Sequence, residues 1–338
     1  MRLENLLALT NAKLLNEPFV KEFSDIVFEA KRVKRGDLFI AFDTSTIDEA
    51  VRNGAYGVVF DKNTEIIDDE IAWIRVEFLD DALRRLLRFR LIEKDITVYE
   101  CGEITLKLAL QLVTESNFIT LNGDIKTIYH LLWDLEEAST LLFSPSITSK
   151  DIFTDIKPFP KKGSGDTITI IEQTLFETSF IYDNTYYERQ LISPFFIPYL
   201  EELFSFLQRN NIEYRLKKFT PIDHFEPVFT NKKFEVKEFG TSDKVLIFEK
   251  NSALIEKEIS FLQQQASWAK IVYIIPYDLL SNIENDDNLL PYRNKQEILN
   301  ILREQNFHFA LVVGVTKDIL LQPLKLPAQN PSLFDFSS

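Results

Sequence analysis

The chain has 338 residues, 45% hydrophobic and 27% charged, which gives room for two or three domains and a sizeable core. Its net charge of −14 argues against nucleic acid as the main partner, and no apolar run approaches the roughly 18 to 20 residues of a membrane span. A single cysteine, Cys101, excludes an intrachain disulfide and a cysteine-built metal site. The opening residues lack a signal-peptide pattern, so the expected location is the cytoplasm.

In chain order, the first unit spans 1–95. LFIAF (38–42) and YGVVF (56–60) read as buried strands around a helix at 47–55, and IAWIRVE (71–77) alternates as a third strand. FLDDALRRLLRFRL (78–91) follows with helical spacing. This alternation implies a parallel α/β sheet with right-handed crossovers. A second unit, 96–228, holds strands at 96–100 and 118–121 and helices at 103–116 and 125–138. After a loop at 158–166 come three antiparallel strands (TITIIEQ, LFETSFIYD, TYYERQLI) and a helix at 197–211. The third unit, 229–327, has strands at 243–250, 269–276 and 307–315, separated by helices at 251–265 and 294–305. Residues 328–338 read as a flexible tail with little to pack against.

AKRVKRGDLFIAF (30–42) resembles the opening of the Mur ligases, ATP-dependent enzymes that join amino acids or peptides to UDP-linked muramic acid. Val33, Gly36, Asp37, Leu38 and Phe39 match its Val-x-Pro-Gly-Asp-Leu-Phe pattern, and NGAYGVVF (53–60) matches the element that follows. FITLNGDIKT (118–127) stands where the family has Ile-Thr-Gly-Thr-Asn-Gly-Lys-Thr. FTPIDHFEPVFTNKKFEV (219–236) and FEKNSALIEKEISFLQQ (248–264) are weaker likenesses to its third-domain boundary and the segment after it. The resemblance implies a three-domain α/β fold. Its parts would be a parallel N-terminal domain, a reduced P-loop-like central domain and a Rossmann-like C-terminal domain. It places a vestigial nucleotide site at Asn122, Gly123, Lys126 and Thr127, and a vestigial uridine-nucleotide region at Lys31, Arg32, Gly36 and Asp37.

The departures from the family bear on activity. The central unit is roughly half the family's length, and its acidic metal ligands and Asn-x-x-x-Asp-His-Leu segment have no counterpart here. Only 9 glycines occur, under half the usual share of roughly 7%. A phosphate loop needs inward backbone N–H groups and a glycine before its lysine. Ile125 precedes Lys126, and the alternative alignment puts Asp124 at the lysine position. Both register choices oppose phosphate binding. His130, His224 and His308 lie in separate segments without metal spacing; His130 reads as a packed histidine, and His224 with Glu226 as a capped turn. The acidic loop 282–288 lacks calcium-loop spacing and reads as solvated.

The resulting expectation is a Mur ligase-like protein without catalytic residues, metal or cofactor, acting by binding or regulation among cell-wall synthesis proteins. One alternative is a divergent amide ligase using ATP and Mg²⁺. Another is an adaptor whose tail residues Leu333, Phe334 and Phe336 dock on a partner.

Overall fold

The first elements form because short, wholly apolar runs alternate with helices that have one apolar stripe. The computed structural model describes every residue except 93, 134, 136–138, 161–167, 284–286 and 322–338. The tail with Leu333, Phe334 and Phe336, most of the 158–166 loop and the middle of the 282–288 loop therefore lie outside the described residues. The chain divides into two units, Met1–Gly163 with Glu202–Leu216, and Ser164–Glu201 with the chain from Lys217 onward.

In the first unit, α1 (Leu3–Thr10) precedes five strands, β1 (Lys13–Leu14), β2 (Ile26–Val27), β3 (Leu38–Ile40), β4 (Gly57–Phe60) and β5 (Ala72–Arg75). They lie in the order β1-β5-β4-β3-β2, parallel except for β1. All residues of β3 and β4 are buried, as a parallel sheet covered on both faces requires. Helix α2 (Ile47–Arg52) lies between β3 and β4 in the chain, and α3 (Leu79–Leu91) follows β5. Helix α3 buries Leu79, Ala82, Leu83, Leu86, Leu87 and Leu91 along one stripe. Asp80 and Asp81 in its first turn and Arg88 and Arg90 in its last complement the helix dipole.

A second, wholly parallel sheet in this unit has the order β7-β8-β6-β9. Its strands are β6 (Ile96–Glu100), β7 (Phe118–Leu121), β8 (Ser139–Phe143) and β9 (Lys157–Pro158), with α4 (Glu103–Leu112) and α5 (Ile125–Trp133) in the connections. Strand β8 is not among the sequence-predicted elements, because the helical pattern of 125–138 runs into it. Its buried residues also show no alternation to mark a strand. Leu38, Ile40 and Ile74 of the first sheet, the stripe of α3, and Val98, Leu121, Ile128, Tyr129, Leu132, Leu141 and Phe143 form one continuous core.

The second unit opens with the antiparallel strands β10 (Thr169–Gln173), β11 (Thr178–Tyr182) and β12 (Thr185–Gln190). Positive φ at Asp183 and Asn184 (48° and 57°) makes the two-residue β11–β12 turn, whose twist suits a hairpin. Helix α6 (Ile197–Arg209) crosses the division between the units along the chain. The remaining elements are β13 (Glu226–Thr230), β14 (Lys244–Glu249), α7 (Ile255–Gln265), β15 (Ile271–Pro276), β16 (Leu289–Tyr292), α8 (Lys295–Glu304) and β17 (Phe309–Val313). Their sheet has the order β13-β14-β17-β15-β16, parallel except for β13. The chain is thus an α/β protein in which parallel sheets carry both ends.

The Gly36-Asp37 pair that dominates the sequence resemblance holds this fold together locally. Gly36 has φ +102°, and a Cβ there would lie 2.6 Å from Ser24 Oγ. Asp37 is buried, and its carboxylate accepts a hydrogen bond from Lys34 N at 2.8 Å, closing the turn before β3. Gly36→Ala is expected to cost on the order of 1–3 kcal/mol, because the strain of a left-handed conformation falls on a residue with a side chain. Urea unfolding of the two proteins measures the difference.

Candidate functional site

Strand β7 ends at Leu121, Asn122 to Asp124 turn the chain, and α5 begins at Ile125. A helix start leaves backbone N–H groups without intrahelical partners and carries partial positive charge, so it attracts an anion. Here the protein's own carboxylate meets that demand. Asp124 Oδ1 accepts from Thr127 N at 2.8 Å, while the Asp124 carbonyl accepts from Ile128 N at 3.0 Å. These bonds make Asp124 the N-cap of α5. The Thr127 backbone N–H, then the Thr127 side chain, hold the Asp124 carboxyl below its ordinary range, and the charge of Lys126 adds to the effect.

The turn is closed on its inner side as well. Gly123 takes φ +130°, and a Cβ on it would stand 3.1 Å from both Cβ and Cγ2 of Thr127. The positive φ thus falls at Gly123, two residues before the position a working phosphate loop needs, and Ile125 is the first helical residue.

Beside the turn lies a cavity of about 600 Å³ at the C-terminal ends of β3, β7 and β8, the usual ligand position in α/β sheets. Phe42, Asp80, Arg84, Asp124, Lys126 and Thr148 contribute to its wall. Two cations thus face two carboxylates, and Arg84 is already paired with Asp81. Thr148 is only 2% exposed, and its hydroxyl has no hydrogen-bond partner among the described residues. It is a polar group suited to an uncharged donor or acceptor on a ligand.

Of the sequence-predicted nucleotide residues, Gly123 and Lys126 line this cavity, whereas Asn122 and Thr127 are exposed and outside its lining. None of Lys31, Arg32, Gly36 and Asp37 lines it. Lys31 and Arg32 are exposed on the 3₁₀ turn Ala30–Arg32, where Arg32 pairs with Glu29 at 3.1 Å, while Gly36 and Asp37 turn inward. His130 is exposed on α5 rather than packed, its ring edge-on to Phe28 at 4.7 Å. The helical stripe that buries Ile128, Tyr129 and Leu132 leaves position 130 on the outer side.

His224 also differs from the turn expected of it. It is 1% exposed, and its Nδ1 lies 2.9 Å from Glu249 Oε1 at the end of β14. Glu249 further accepts from Phe225 N at 3.0 Å and Asn251 N at 2.6 Å. Glu258 of α7 is buried near it; desolvation first, and the charge of Glu249 second, push its carboxyl well above the ordinary range. Glu249 thus gathers the His224 ring and two backbone N–H groups in the interior, and burial beside it favours the protonated form of Glu258. The sequence signal for this cluster was a glutamate between Ile255 and Leu262 on the apolar stripe of α7.

No protein-family model matches the chain, and no curated protein sequence matches it. Among solved structures, a UDP-N-acetylmuramoylalanyl-D-glutamyl-2,6-diaminopimelate–D-alanyl-D-alanyl ligase from Acinetobacter baumannii is similar at 12% identity, with TM-score 0.46, over 94% of this chain and 96% of that one. A crystal structure of MurF from the same organism is similar at 11% identity and TM-score 0.48, over 92% of this chain and 94% of that one. MurF ligase from Thermotoga maritima in complex with ADP is similar at 13% identity and TM-score 0.46, over 87% and 94%.

Asp124→Ala is expected to lower stability by about 1 kcal/mol at neutral pH through loss of the cap. The folded-state pKa of Asp124 is depressed, so its contribution is present above the unfolded value of about 3.9 and is lost as pH falls through the folded value. The stability gap between the two proteins should therefore close below about pH 4 in denaturant titrations run as a pH series. Glu258 has the opposite sign. With a raised folded pKa, its contribution is complete below the unfolded value of about 4.3 and declines as pH rises from there. Glu258→Gln should gain stability relative to the parent chain as pH rises above about 4.3, measured the same way.

Proposed function

We propose that this chain is a catalytically inactive Mur ligase-like protein that acts by binding, in a regulatory role within cell-wall synthesis in the cytoplasm. The observation that carries the loss of catalysis is Asp124. Its carboxylate occupies the N-terminus of α5, the place where backbone N–H groups would otherwise receive phosphate. Bringing a triphosphate there would set like charges together and displace the helix cap. The sequence likeness at Val33 to Phe39 supports the family assignment, and the cavity beside Thr148 supports retained binding of an uncharged polar group.

Thermal unfolding with millimolar Mg-ATP, UDP-sugars or UDP-linked muropeptides tests this reading. A micromolar site would add about 4 kcal/mol at a thousandfold excess over its dissociation constant. The expected result is no shift with Mg-ATP and a shift with the muropeptide that persists when its UDP group is removed. A Mg-ATP shift that disappears in Lys126→Ala would overturn the assignment in favour of a working ligase.

A further inference from the structure

The cavity beside α5 adjoins a second one of about 420 Å³, and Asp80 and Arg84 of α3 belong to both walls. The two ends differ in charge. At the second cavity Arg84 pairs with Asp81, which leaves Asp61 and Asp80 without a cation among the described residues. At the α5 end the groups left over are hydrogen-bond donors. The Asp124 cap takes the N–H groups of Thr127 and Ile128, so those of Ile125 and Lys126 have no acceptor among the described residues. Lys126 has no ion pair in that set either. The floor is aliphatic, made by Ile125, Ile128, Ile147 and Ile152. Thr148, almost wholly buried with its hydroxyl unpartnered, marks this as a cavity that a polar ligand group completes.

We propose that this groove docks the C-terminal end of a partner protein: a free carboxylate on an aliphatic last residue, with a lysine or arginine a few positions earlier. The proposal rests on the reading that no nucleotide occupies the α5 N-terminus. Charge complementarity selects the occupant. A single carboxylate meets the Lys126 ammonium and the two helix N–H groups, and it carries far less negative charge than a triphosphate. The Asp124 carboxylate nearby is already held by Thr127 N. The aliphatic last side chain covers the isoleucine floor, removing apolar surface from water on both partners. Thr148 can donate or accept, and a peptide group supplies it with either partner. A basic side chain then reaches Asp61 and Asp80, where an acidic one would be repelled. This polarity sets the direction of the bound chain, with its end at α5 and the preceding residues running past the start of α3.

The test is isothermal titration calorimetry of the full-length chain with an acetylated tetrapeptide, Lys-Lys-Ala-Val. The form with a free carboxylate should bind roughly tenfold tighter than its C-terminal amide, the contribution of one charge-assisted hydrogen bond. That comparison uses the parent chain, so it depends on no variant's folding. Lys126→Gln should abolish the difference between acid and amide, whereas Thr148→Val should weaken both alike. The acetylated peptide Glu-Glu-Ala-Val should bind roughly tenfold more weakly than Lys-Lys-Ala-Val, and Asp80→Asn should narrow that gap. Equal affinity for acid and amide, or no binding of either, overturns the proposal. Free valine or free lysine displacing the tetrapeptide at equal concentration overturns it by making the groove a small-molecule site. A UDP-free muropeptide that shifts the unfolding temperature while no tetrapeptide binds overturns this proposal and leaves the binding role above intact. A Mg-ATP shift lost in Lys126→Ala overturns the reading on which it rests.

Discussion

The apolar stripe of α3 is the constraint on which the first unit rests. Its six buried residues share one core with residues of both sheets and with α1 and α5. Burying each large aliphatic side chain contributes roughly 1.5–3 kcal/mol, so this packing outweighs any single polar contact nearby. It fixes α5 against α3, and it turns the opposite face of α3 towards the cavity, where Asp80 and Arg84 emerge. The position of the α5 N-terminus follows from this packing. Its charge state does not.

That charge state is decided over three residues. A helix N-terminus at the edge of a parallel sheet is a general solution for holding phosphate. The same geometry accepts an internal carboxylate one residue ahead of the helix, and an Asp there stabilises the helix without any ligand. The turn at 122–124 therefore retains the shape of an anion site while its demand for negative charge is met from within. Thr127 completes the closure by filling the space in front of Gly123. The neighbouring cavity remains, with balanced charges and one buried hydroxyl seeking a partner.

Much of the architecture was legible in the sequence because strands and helices in parallel α/β units have strong local signatures. Strands β3, β4 and β17 are short and wholly apolar, and α3 repeats its leucines at helical spacing. Strand β8 was not legible, since a buried central strand lacks alternation and its sequence follows a helical pattern directly. His224 and Glu249 were missed for a different reason. They lie 25 residues apart in sequence, and nothing local indicates that the two will be buried in contact. The exposed position of His130 is a matter of helical phase, which a cluster of apolar neighbours conceals.

By itself the sequence determined the α/β class and the residue order of the turn before α5. Ile125 before Lys126 and Asp124 beside it are local facts of covalent order, and they act through backbone sterics and charge over a few ångströms. Only the tertiary structure decided where those groups point. It made Asp124 a helix cap, set Gly36 and Asp37 in the turn before β3, and gathered the distant Phe176, Phe229, Phe239, Trp268 and Phe309 around one groove. Those outcomes depend on which side chains the sheets bring together, and spacing along the chain does not encode that.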